Sequence, residues 1–288
     1  MKKLVIFGVG LIGGSVGLAL KKAGVNTHIV GVGRKQSSLD DALNLKIIDS
    51  AETDIQTALA DASMVLIAAP VAQTKTILQS IQPFITPNMV ITDAGSTKCD
   101  VLAVARQVLG PQFSQFVGGH PIAGAEKSGA KAAKVDLYIK KNVILTPTAE
   151  TNPQATQAVK DLWASCGATI SEMSAETHDG IFAAVSHLPH LLAFALVDDI
   201  ASRPNAEQLF SFAASGFRDF TRIAGSHPEM WRDISLANRT ALLSEINAFQ
   251  TELSTLKQLL ENEDGTGLEA LFERASHARN QWAHGKKS

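Results

Sequence analysis

The sequence predicts an α/β chain in which a doubly wound parallel sheet is followed by an all-α C-terminal part. Three observations support this prediction. Short runs rich in Val and Ile recur through the first half of the chain, helix-like segments separate them, and extended runs disappear after about Met173. Near-continuous apolar runs are typical of parallel strands that are buried on both faces, and their alternation with helices indicates βαβ units.

The predicted elements follow one another regularly. The strand-like runs are residues 4–9, 28–32, 64–69, 89–92, 116–118 and 142–145. Helical periodicity predicts helices at 12–23, 74–81 and 100–109, and a last unit adds a helix at 153–165 and a strand at 168–172. The change of pattern predicts a first domain at residues 1–173 and a helical domain at residues 174–288.

Composition excludes several classes of protein. The 288 residues carry 26 Lys and Arg against 28 Asp and Glu, and this balance disfavours a nucleic-acid partner. The apolar share of 45% is high enough for a sizeable core, so the chain is not predicted to be disordered. Cys99 and Cys166 form no Cys-x-x-Cys pair, so we expect neither a disulfide framework nor a cysteine zinc site.

The N-terminus has the outline of a signal peptide, because Lys2 and Lys3 precede an apolar stretch that ends at Leu20. Five glycines interrupt that stretch, however, and no small-residue cleavage site follows it. No other run approaches the roughly 20 apolar residues of a membrane span. We therefore expect a cytoplasmic protein without a membrane partner.

The C-terminal part contains an apolar stripe with alternating steps of four and three residues. Its members are Leu242, Ile246, Phe249, Leu253, Leu256 and Leu260. This spacing is close to a heptad repeat, and a helix with such a stripe must bury it in its own domain or against another subunit. The stripe is longer than a small domain needs, so we predict a homodimer formed through the helical domain.

A glycine loop connects the first strand to the first helix. The order Gly8-Val9-Gly10-Leu11-Ile12-Gly13 is the G-x-G-x-x-G pattern in the context of strand, turn and helix. Gly8 permits the tight turn, Gly10 lets the backbone approach a pyrophosphate, and Gly13 lets the helix pack on the strand. We predict a Rossmann-type domain that binds a dinucleotide through Gly8, Gly10, Leu11, Ile12 and Gly13.

The end of the second strand bears on the choice of dinucleotide. Gly33 lies 20 residues after Gly13, where an NAD-binding protein usually carries an acid for the ribose 2′-hydroxyl. Arg34 follows directly, and Ser37 lies close behind. Because arginine pairs with a 2′-phosphate, we predict that Arg34 and Ser37 bind NADP. The alternative is that Arg34 only stacks on adenine and that NAD also binds.

Two polar loops follow neighbouring strands at the edge where such sheets bind ligands. One carries Asp93, Ser96 and Lys98, and the other carries His120 between Gly119 and Pro121. Imidazole titrates near neutral pH, so His120 is a candidate general base and Ser96 a candidate partner. The alternatives are a structural histidine and a serine that caps the next helix.

Five further motifs complete a recognisable set. They are DAGSTK at 93–98, GGHPIAG at 118–124, SHLPH at 186–190, FRDFTRIA at 217–224 and WRDI at 231–234. Together with the glycine loop they resemble the prephenate/arogenate (cyclohexadienyl) dehydrogenase family along nearly the whole chain. The resemblance implies oxidative decarboxylation of a cyclohexadienyl substrate, with hydride transfer to a nicotinamide, in tyrosine biosynthesis.

The resemblance also implies roles for individual residues. The motif histidine, here His120, accepts the proton of the ring hydroxyl, and the motif serine, here Ser96, hydrogen-bonds in that relay. The motif arginine, here Arg222, binds the substrate carboxylate, with Arg218 as the competing candidate. His190 is expected to contact substrate in preference to His187. From its position six residues after His120, Glu126 is expected to adjust or gate the site, and the alternative is a solvated surface acid. For Arg222, the residues alone leave open a surface ion pair.

The same residues allow other interpretations. A helical pair of histidines, His187 and His190, together with His178 suggests a metal site, but no further ligand has suitable spacing, so we expect none. A short-chain dehydrogenase is excluded because Asn142 stands where a Tyr138-x-x-x-Lys pair needs lysine. The remaining alternatives are another two-domain hydroxyacid dehydrogenase and a non-catalytic protein that senses NADP.

Overall fold

A computed structural model describes residues 1–33, 35–124 and 127–285. These ranges contain eight strands, namely β1 Lys3–Phe7, β2 His28–Val32, β3 Ser50–Glu52, β4 Met64–Ile67, β5 Val90–Asp93, β6 Phe116–Pro121, β7 Asn142–Thr146 and β8 Thr169–Glu172. The strands form one sheet in the order β3-β2-β1-β4-β5-β6-β7-β8. Neighbouring strands are parallel except for β6 and β7, which are antiparallel.

The helices of the sheet region cover both of its faces. They are α1 Leu11–Lys22, α2 Gln36–Asn44, α3 Ile55–Leu59, α4 Thr74–Ile81, α5 Cys99–Leu109 and α6 Pro153–Ser165. Alternate residues of β1 belong to different cores: Leu4 and Ile6 pack in the cluster that contains α1 and α6, whereas Val5 and Phe7 pack in the cluster that contains α4 and α5. This arrangement confirms the predicted doubly wound sheet.

The rest of the described chain is helical, as predicted. Its helices are α7 Ala175–Phe182, α8 Leu188–Ala201, α9 Ala206–Ser211, α10 Ser215–Thr221, α11 Pro228–Ala237, α12 Arg239–Glu261 and α13 Gly265–Gly285. The chain divides into two compact units, Met1–Arg239 and Thr240–Ser288. This division concerns compactness, and the boundary between residues 173 and 174 stays a prediction.

Three features of the sheet differ from the sequence-based expectation. The short strand β3 was not predicted, and β6 continues to Pro121, so His120 lies within a strand and not in the loop after it. The pairing of β6 with β7 is antiparallel, with His120 opposite Ile144. A parallel connection needs a long crossover, usually a helix. In the described part of residues 122–141 the helical structure is the short 3₁₀ turn Ala130–Ala132, so the chain doubles back instead.

Helices α7 and α8 run on as one continuous helix through a π turn at Ala183–His187. Pro189 follows that turn and has no N–H to donate to the carbonyl four residues earlier, which accounts for the irregularity. By length and composition alone this helix, Ala175–Ala201, is apolar enough to cross a membrane, because an 18-residue window within it has a mean hydropathy of 1.8. The expectation that no second run approaches such a length was therefore wrong. The polar His178, Asp179 and His187 within this helix are buried in the fold.

Candidate active site

The glycine loop has the geometry that its sequence predicts. Gly8 has a φ of +92°, and a Cβ there would lie 2.6 Å from the carbonyl oxygen of Ala68. A Cβ on Gly13 would lie 2.3 Å from the carbonyl oxygen of Gly8, so the close approach of α1 to β1 requires glycine. A Cβ on Gly10 would meet nothing within 4 Å, and no side chain caps α1. The helix thus presents uncapped N–H groups beside open space, which fits a pyrophosphate.

The residues predicted to select the dinucleotide are only partly visible. Ser37 is exposed and lies in the first turn of α2, four residues after Gly33. Arg34 lies outside the described residues.

A buried ion pair joins the two polar loops. The ammonium of Lys98 contacts the Asp93 carboxylate and donates a 2.7 Å hydrogen bond to the carbonyl oxygen of Gly119. The same carboxylate accepts the backbone N–H groups of Gly95 and Gly119. Lys98 and Asp93 have exposures of 0% and 1%. The pair fixes the segment that carries Ser96 to strand β6, in which His120 directly follows Gly119.

His120 is the first member of a chain of three side chains. Its Nδ1 lies 2.8 Å from Nε2 of His178, and Nδ1 of His178 lies 2.8 Å from Oδ1 of Asp179. The carboxylate of Asp179 also accepts the backbone N–H groups of Lys98 and Cys99, each at 2.8 Å. Helix α5 is therefore capped from the helix that begins at Ala175, and not by a side chain of the preceding loop.

Burial is the largest influence on the pKa values of His120, His178 and Asp179. It lowers the pKa of His120 well below 6.5, and the nearby His178, Lys98 and His187 lower it further. Burial also lowers the pKa of His178, against the opposing hydrogen bond to Asp179. Burial alone would raise the pKa of the Asp179 carboxyl, but the hydrogen bonds from His178, Cys99 and Lys98 hold it below its usual value. At neutral pH both imidazoles are therefore neutral and Asp179 is ionised.

His187 and His190 occupy different environments, although they are three residues apart. His187 is buried, its Nδ1 lies 3.1 Å from Nδ2 of Asn238, and burial lowers its pKa to about 4. Asn238 also donates to the carbonyl oxygen of Asp179. His187 therefore helps to hold Asp179 and does not itself belong to the hydrogen-bonded series His120, His178 and Asp179. His190 hydrogen-bonds to the carbonyl oxygen of Ser186 and lies on a neighbouring cavity.

That cavity has a volume of about 750 Å³ and a cationic lining. Its walls include His190, Arg222 and three lysines, Lys127, Lys131 and Lys134. The His190 ring stacks on Trp231 with the ring centroids 3.6 Å apart, which holds the imidazole in one orientation. The cavity can receive a molecule with more than one negative charge.

The cavity adjoins the glycine-loop helix. The backbone N–H of Lys134 donates a 2.9 Å hydrogen bond to Oγ of Ser15 in α1, and Tyr138 donates to the carbonyl oxygen of Ile12. Gly124, four residues after His120, also lines the cavity. The cationic cavity is therefore next to the helix that would hold the dinucleotide, and it shares a segment of chain with His120.

Among the remaining candidates, Arg218 and Arg222 are both exposed, but Arg222 lines the cavity and Arg218 does not. Glu126 lies outside the described residues. Within the described ranges no group of three or more His, Cys, Asp or Glu side chains is arranged to hold a metal ion.

Sequence reasoning missed the partners of His120. The sequence pattern indicates His178 only as a possible metal ligand and does not single out Asp179 or Asn238. These residues lie 58 to 118 positions beyond His120 in the chain, so no local pattern links them to it. The adjacent His178 and Asp179 near the start of an otherwise apolar helix were the available signal.

Two family models match consecutive parts of the chain. The model described as prephenate dehydrogenase, nucleotide-binding domain, matches residues 16–172, and the one described as prephenate dehydrogenase, dimerization domain, matches residues 174–274. The chain belongs to the prephenate dehydrogenase family. These matches confirm the resemblance found in the sequence. They also confirm that the helical part is of the dimerisation-domain class.

Relatives of the prephenate dehydrogenase family align with most of this chain. A prephenate dehydrogenase from Bacillus subtilis is 40% identical over 279 residues, which cover 96% of this chain and 75% of that protein. A cyclohexadienyl dehydrogenase from Zymomonas mobilis is 33% identical over 280 residues, which cover 96% of this chain and 95% of that protein.

Solved structures of prephenate dehydrogenase family members have the same fold. A prephenate dehydrogenase from A. aeolicus, crystallised with hydroxyphenyl propionate and NAD+, has a TM-score of 0.91 at 38% identity, covering 97% of this chain and 98% of that one. A Synechocystis arogenate dehydrogenase has a TM-score of 0.83 at 28% identity, covering 97% of this chain and 99% of that one.

Proposed function

We propose that this protein is an arogenate or prephenate dehydrogenase of tyrosine biosynthesis that transfers hydride to a nicotinamide dinucleotide. Membership of the prephenate dehydrogenase family supports the reaction class. The names of its relatives include prephenate, cyclohexadienyl and arogenate dehydrogenases, so they leave the substrate open between prephenate and arogenate.

The observation that carries this proposal is the cationic cavity beside the glycine-loop helix. Its lining joins Arg222 and His190 to Lys134, whose backbone is bonded to α1. Prephenate is a dianion, and arogenate carries two carboxylates and an ammonium. A guanidinium binds a carboxylate through two parallel hydrogen bonds, so we assign Arg222 to a substrate carboxylate and His190 to a contact beside it. Glu126, which directly precedes Lys127 in the sequence, is proposed to act at the same substrate.

His120 is proposed as the general base. Its Nδ1 is engaged by His178, which leaves Nε2 for the substrate hydroxyl. The low pKa keeps the imidazole neutral at pH 7, so it can accept the hydroxyl proton as the hydride leaves the ring carbon. Loss of carbon dioxide then makes the ring aromatic and leaves a phenolate, and His120 returns the proton to the phenolate oxygen. Ser96, on the segment fixed to β6, is proposed to hydrogen-bond in this relay.

The dinucleotide would be held by Gly8, Gly10, Leu11, Ile12 and Gly13, with its pyrophosphate at the N-terminus of α1. When bound, it supplies the hydride acceptor. The neighbouring protein groups position the substrate ring against it and exclude water, so that the hydride and the proton leave in a fixed geometry.

NADP is proposed as the preferred dinucleotide, on the absence of an acid at Gly33 and the presence of Arg34 and Ser37. NAD is the alternative, and a relative was crystallised with NAD+. We expect kcat/KM to be higher with NADP, and Arg34→Ala to lower it about tenfold or more for NADP but not for NAD. A higher kcat/KM with NAD in the unmodified enzyme would contradict this preference.

A cytoplasmic homodimer is proposed as the working form. Part of the apolar stripe on α12 is exposed in the single chain, with Leu253 at 48% and Leu260 at 64%. Burial of such a stripe against a second copy would remove it from water. We expect light scattering at micromolar concentration to report a dimer, and the double variant Leu253→Glu/Leu260→Glu to report a monomer. A monomeric unmodified protein would contradict the assignment.

The function is tested by initial rates of reduced-cofactor formation. Prephenate and arogenate are each assayed with NADP and with NAD, and a 2-hydroxy acid such as lactate serves as the substrate of the competing dehydrogenase class. A rate with prephenate or arogenate supports the proposal, and the best combination identifies substrate and cofactor. Cofactor binding without turnover of either substrate would contradict the proposal and favour the NADP-sensing alternative.

A further inference from the structure

We propose that His178 and Asp179 are positioning residues that set the tautomer of His120, so that its Nε2 is free to accept a proton. This inference rests on the proposed function for its catalytic consequence. The arrangement itself rests on the hydrogen bonds from His120 to His178 and from His178 to Asp179, which are 2.8 Å each.

The ionised carboxylate of Asp179 determines which atoms donate and which accept in these hydrogen bonds. Asp179 is ionised and accepts the backbone N–H groups of Lys98 and Cys99, so it has no proton to give. Nδ1 of His178 must therefore be the N–H donor in its bond to Asp179. A neutral imidazole carries one proton, so Nε2 of His178 has a lone pair and accepts.

The same reasoning fixes His120. Since Nε2 of His178 accepts, Nδ1 of His120 must donate, and Nε2 of His120 is left without a proton. This nitrogen has the lone pair that a general base needs. With the other tautomer, Nε2 of His120 would carry a proton and would be unable to accept one from a hydroxyl group.

Packing holds the ring of His120 in place around this bond. Phe182, one turn after His178 on the same helix, meets the His120 ring edge-on with centroids 4.9 Å apart, and the two imidazoles meet at 5.0 Å. Asn238 anchors the carbonyl oxygen of Asp179 from α11's C-terminal end. The helix that begins at Ala175 thus determines both the orientation and the tautomer of a residue on β6.

During turnover the arrangement also stabilises charge. When Nε2 of His120 accepts the hydroxyl proton, the ring becomes an imidazolium whose Nδ1–H remains bonded to His178. The negative charge of Asp179 lies at the far end of the two bonds and opposes the burial penalty of that cation. The proton then leaves from Nε2 to the phenol oxygen, and the original tautomer is restored.

Three variants separate this role from a merely structural one. His178→Gln keeps an acceptor near the position of Nε2, whereas His178→Leu has a similar volume and no acceptor. Asp179→Asn removes the negative charge, and because each oxygen of Asp179 accepts a backbone N–H, the neutral amide leaves one backbone N–H without its acceptor and binds Nδ1–H of His178 less strongly. An analogous Asp→Asn change in a serine protease lowers kcat by roughly ten-thousandfold with intact geometry.

The expected rates follow from the acceptor. We expect kcat to fall about a hundredfold or more for His178→Leu and Asp179→Asn, and less than about tenfold for His178→Gln, because general-base catalysis contributes about a hundred- to ten-thousandfold. The dissociation constant of the cofactor should change little in all three variants. Unchanged cofactor binding also shows that each variant is folded. Equal kcat values for the leucine and glutamine variants would overturn the proposal.

A spectroscopic measurement tests the tautomer without turnover. Long-range ¹H–¹⁵N correlation spectra of the full-length protein labelled with ¹⁵N-histidine, at pH 7.5 and without substrate, identify the protonated nitrogen of His120. We expect the Nδ1–H form in the unmodified protein and in His178→Gln, and loss of this preference in His178→Leu, which removes the acceptor of Nδ1–H. An Nε2–H His120 in the unmodified protein would overturn the proposal, even where no dehydrogenase activity was found. Absence of turnover with an Nδ1–H His120 would instead contradict the proposed function alone.

Discussion

The ammonium of Lys98 donates a 2.7 Å hydrogen bond to the carbonyl oxygen of Gly119, directly before His120. The same ammonium is paired with Asp93 at the end of β5, and both charged groups are buried. Because β5 and β6 are neighbours in the sheet, this pair fixes the end of one strand against the other. It positions the strand that carries the proposed base.

We expect Lys98→Met to lower the free energy of unfolding by about 3–5 kcal/mol, because it leaves the buried Asp93 carboxylate without its countercharge. The matched control is Arg203→Met, which removes a pair with Asp199 whose side chains are 51% and 58% exposed. That variant should lose less than about 1 kcal/mol. Urea denaturation measures both, and equal losses would show that the buried pair has no special role.

Acid is expected to destabilise the fold through its buried histidines. Burial lowers the pKa of His187 to about 4, whereas an unfolded histidine titrates near 6.5. The stabilising difference is therefore fully present above pH 6.5 and is lost as pH falls from 6.5 towards 4, where the unfolded chain binds a proton that the folded chain does not.

This difference amounts to about 3 kcal/mol for His187 by pH 4. His187→Asn keeps an acceptor for Asn238 and cannot be protonated, so it should flatten the fall in unfolding free energy between pH 7 and pH 5. An identical pH dependence in the variant and the unmodified protein would contradict the assignment.

The acid limb of the activity profile should lie below pH 6.5. His120 must be neutral to accept a proton, and its pKa is lowered by burial, by His178, by Lys98 and by His187. As pH falls through this lowered pKa the base becomes protonated and kcat/KM falls, whereas no loss is expected between pH 6.5 and 7.5. An acid limb centred above pH 6.5 would contradict a buried neutral base.

Arg222 and Arg218 should differ in their effect on substrate binding. Arg222 lines the cationic cavity and Arg218 does not. We expect Arg222→Ala to raise KM by about ten- to a hundredfold, the value of a lost charge-assisted hydrogen bond to a carboxylate. Arg218→Ala should change KM by less than about threefold. The reverse order, measured by steady-state kinetics, would transfer the carboxylate contact to Arg218.

Local patterns made the sheet and the glycine loop predictable. Gly8 and Gly13 occupy positions where a Cβ would collide with the backbone, so their spacing in the sequence reports the turn directly. The full length of β6 was harder to predict from the sequence, because Gly119 and Pro121 favour a loop when judged by propensity alone. The antiparallel pairing with β7 overrides that preference and places His120 within the strand.

The partners of the site depend on tertiary structure. Asp179 caps α5 from 80 residues away and at the same time accepts from His178. A capping side chain normally comes from the few residues before the helix, so the local sequence indicates Ser96 and not Asp179. Only the packing of the helix that begins at Ala175 against β6 and α5 brings these groups together.

The most direct test of the proposed mechanism is turnover by His120→Asn with prephenate or arogenate, followed through reduced-cofactor absorbance. We expect kcat to fall by at least about a hundredfold while the dissociation constant of the cofactor is unchanged, because the variant loses the base but not the glycine loop. A variant that retains the unmodified kcat would contradict the assignment of His120 as the base.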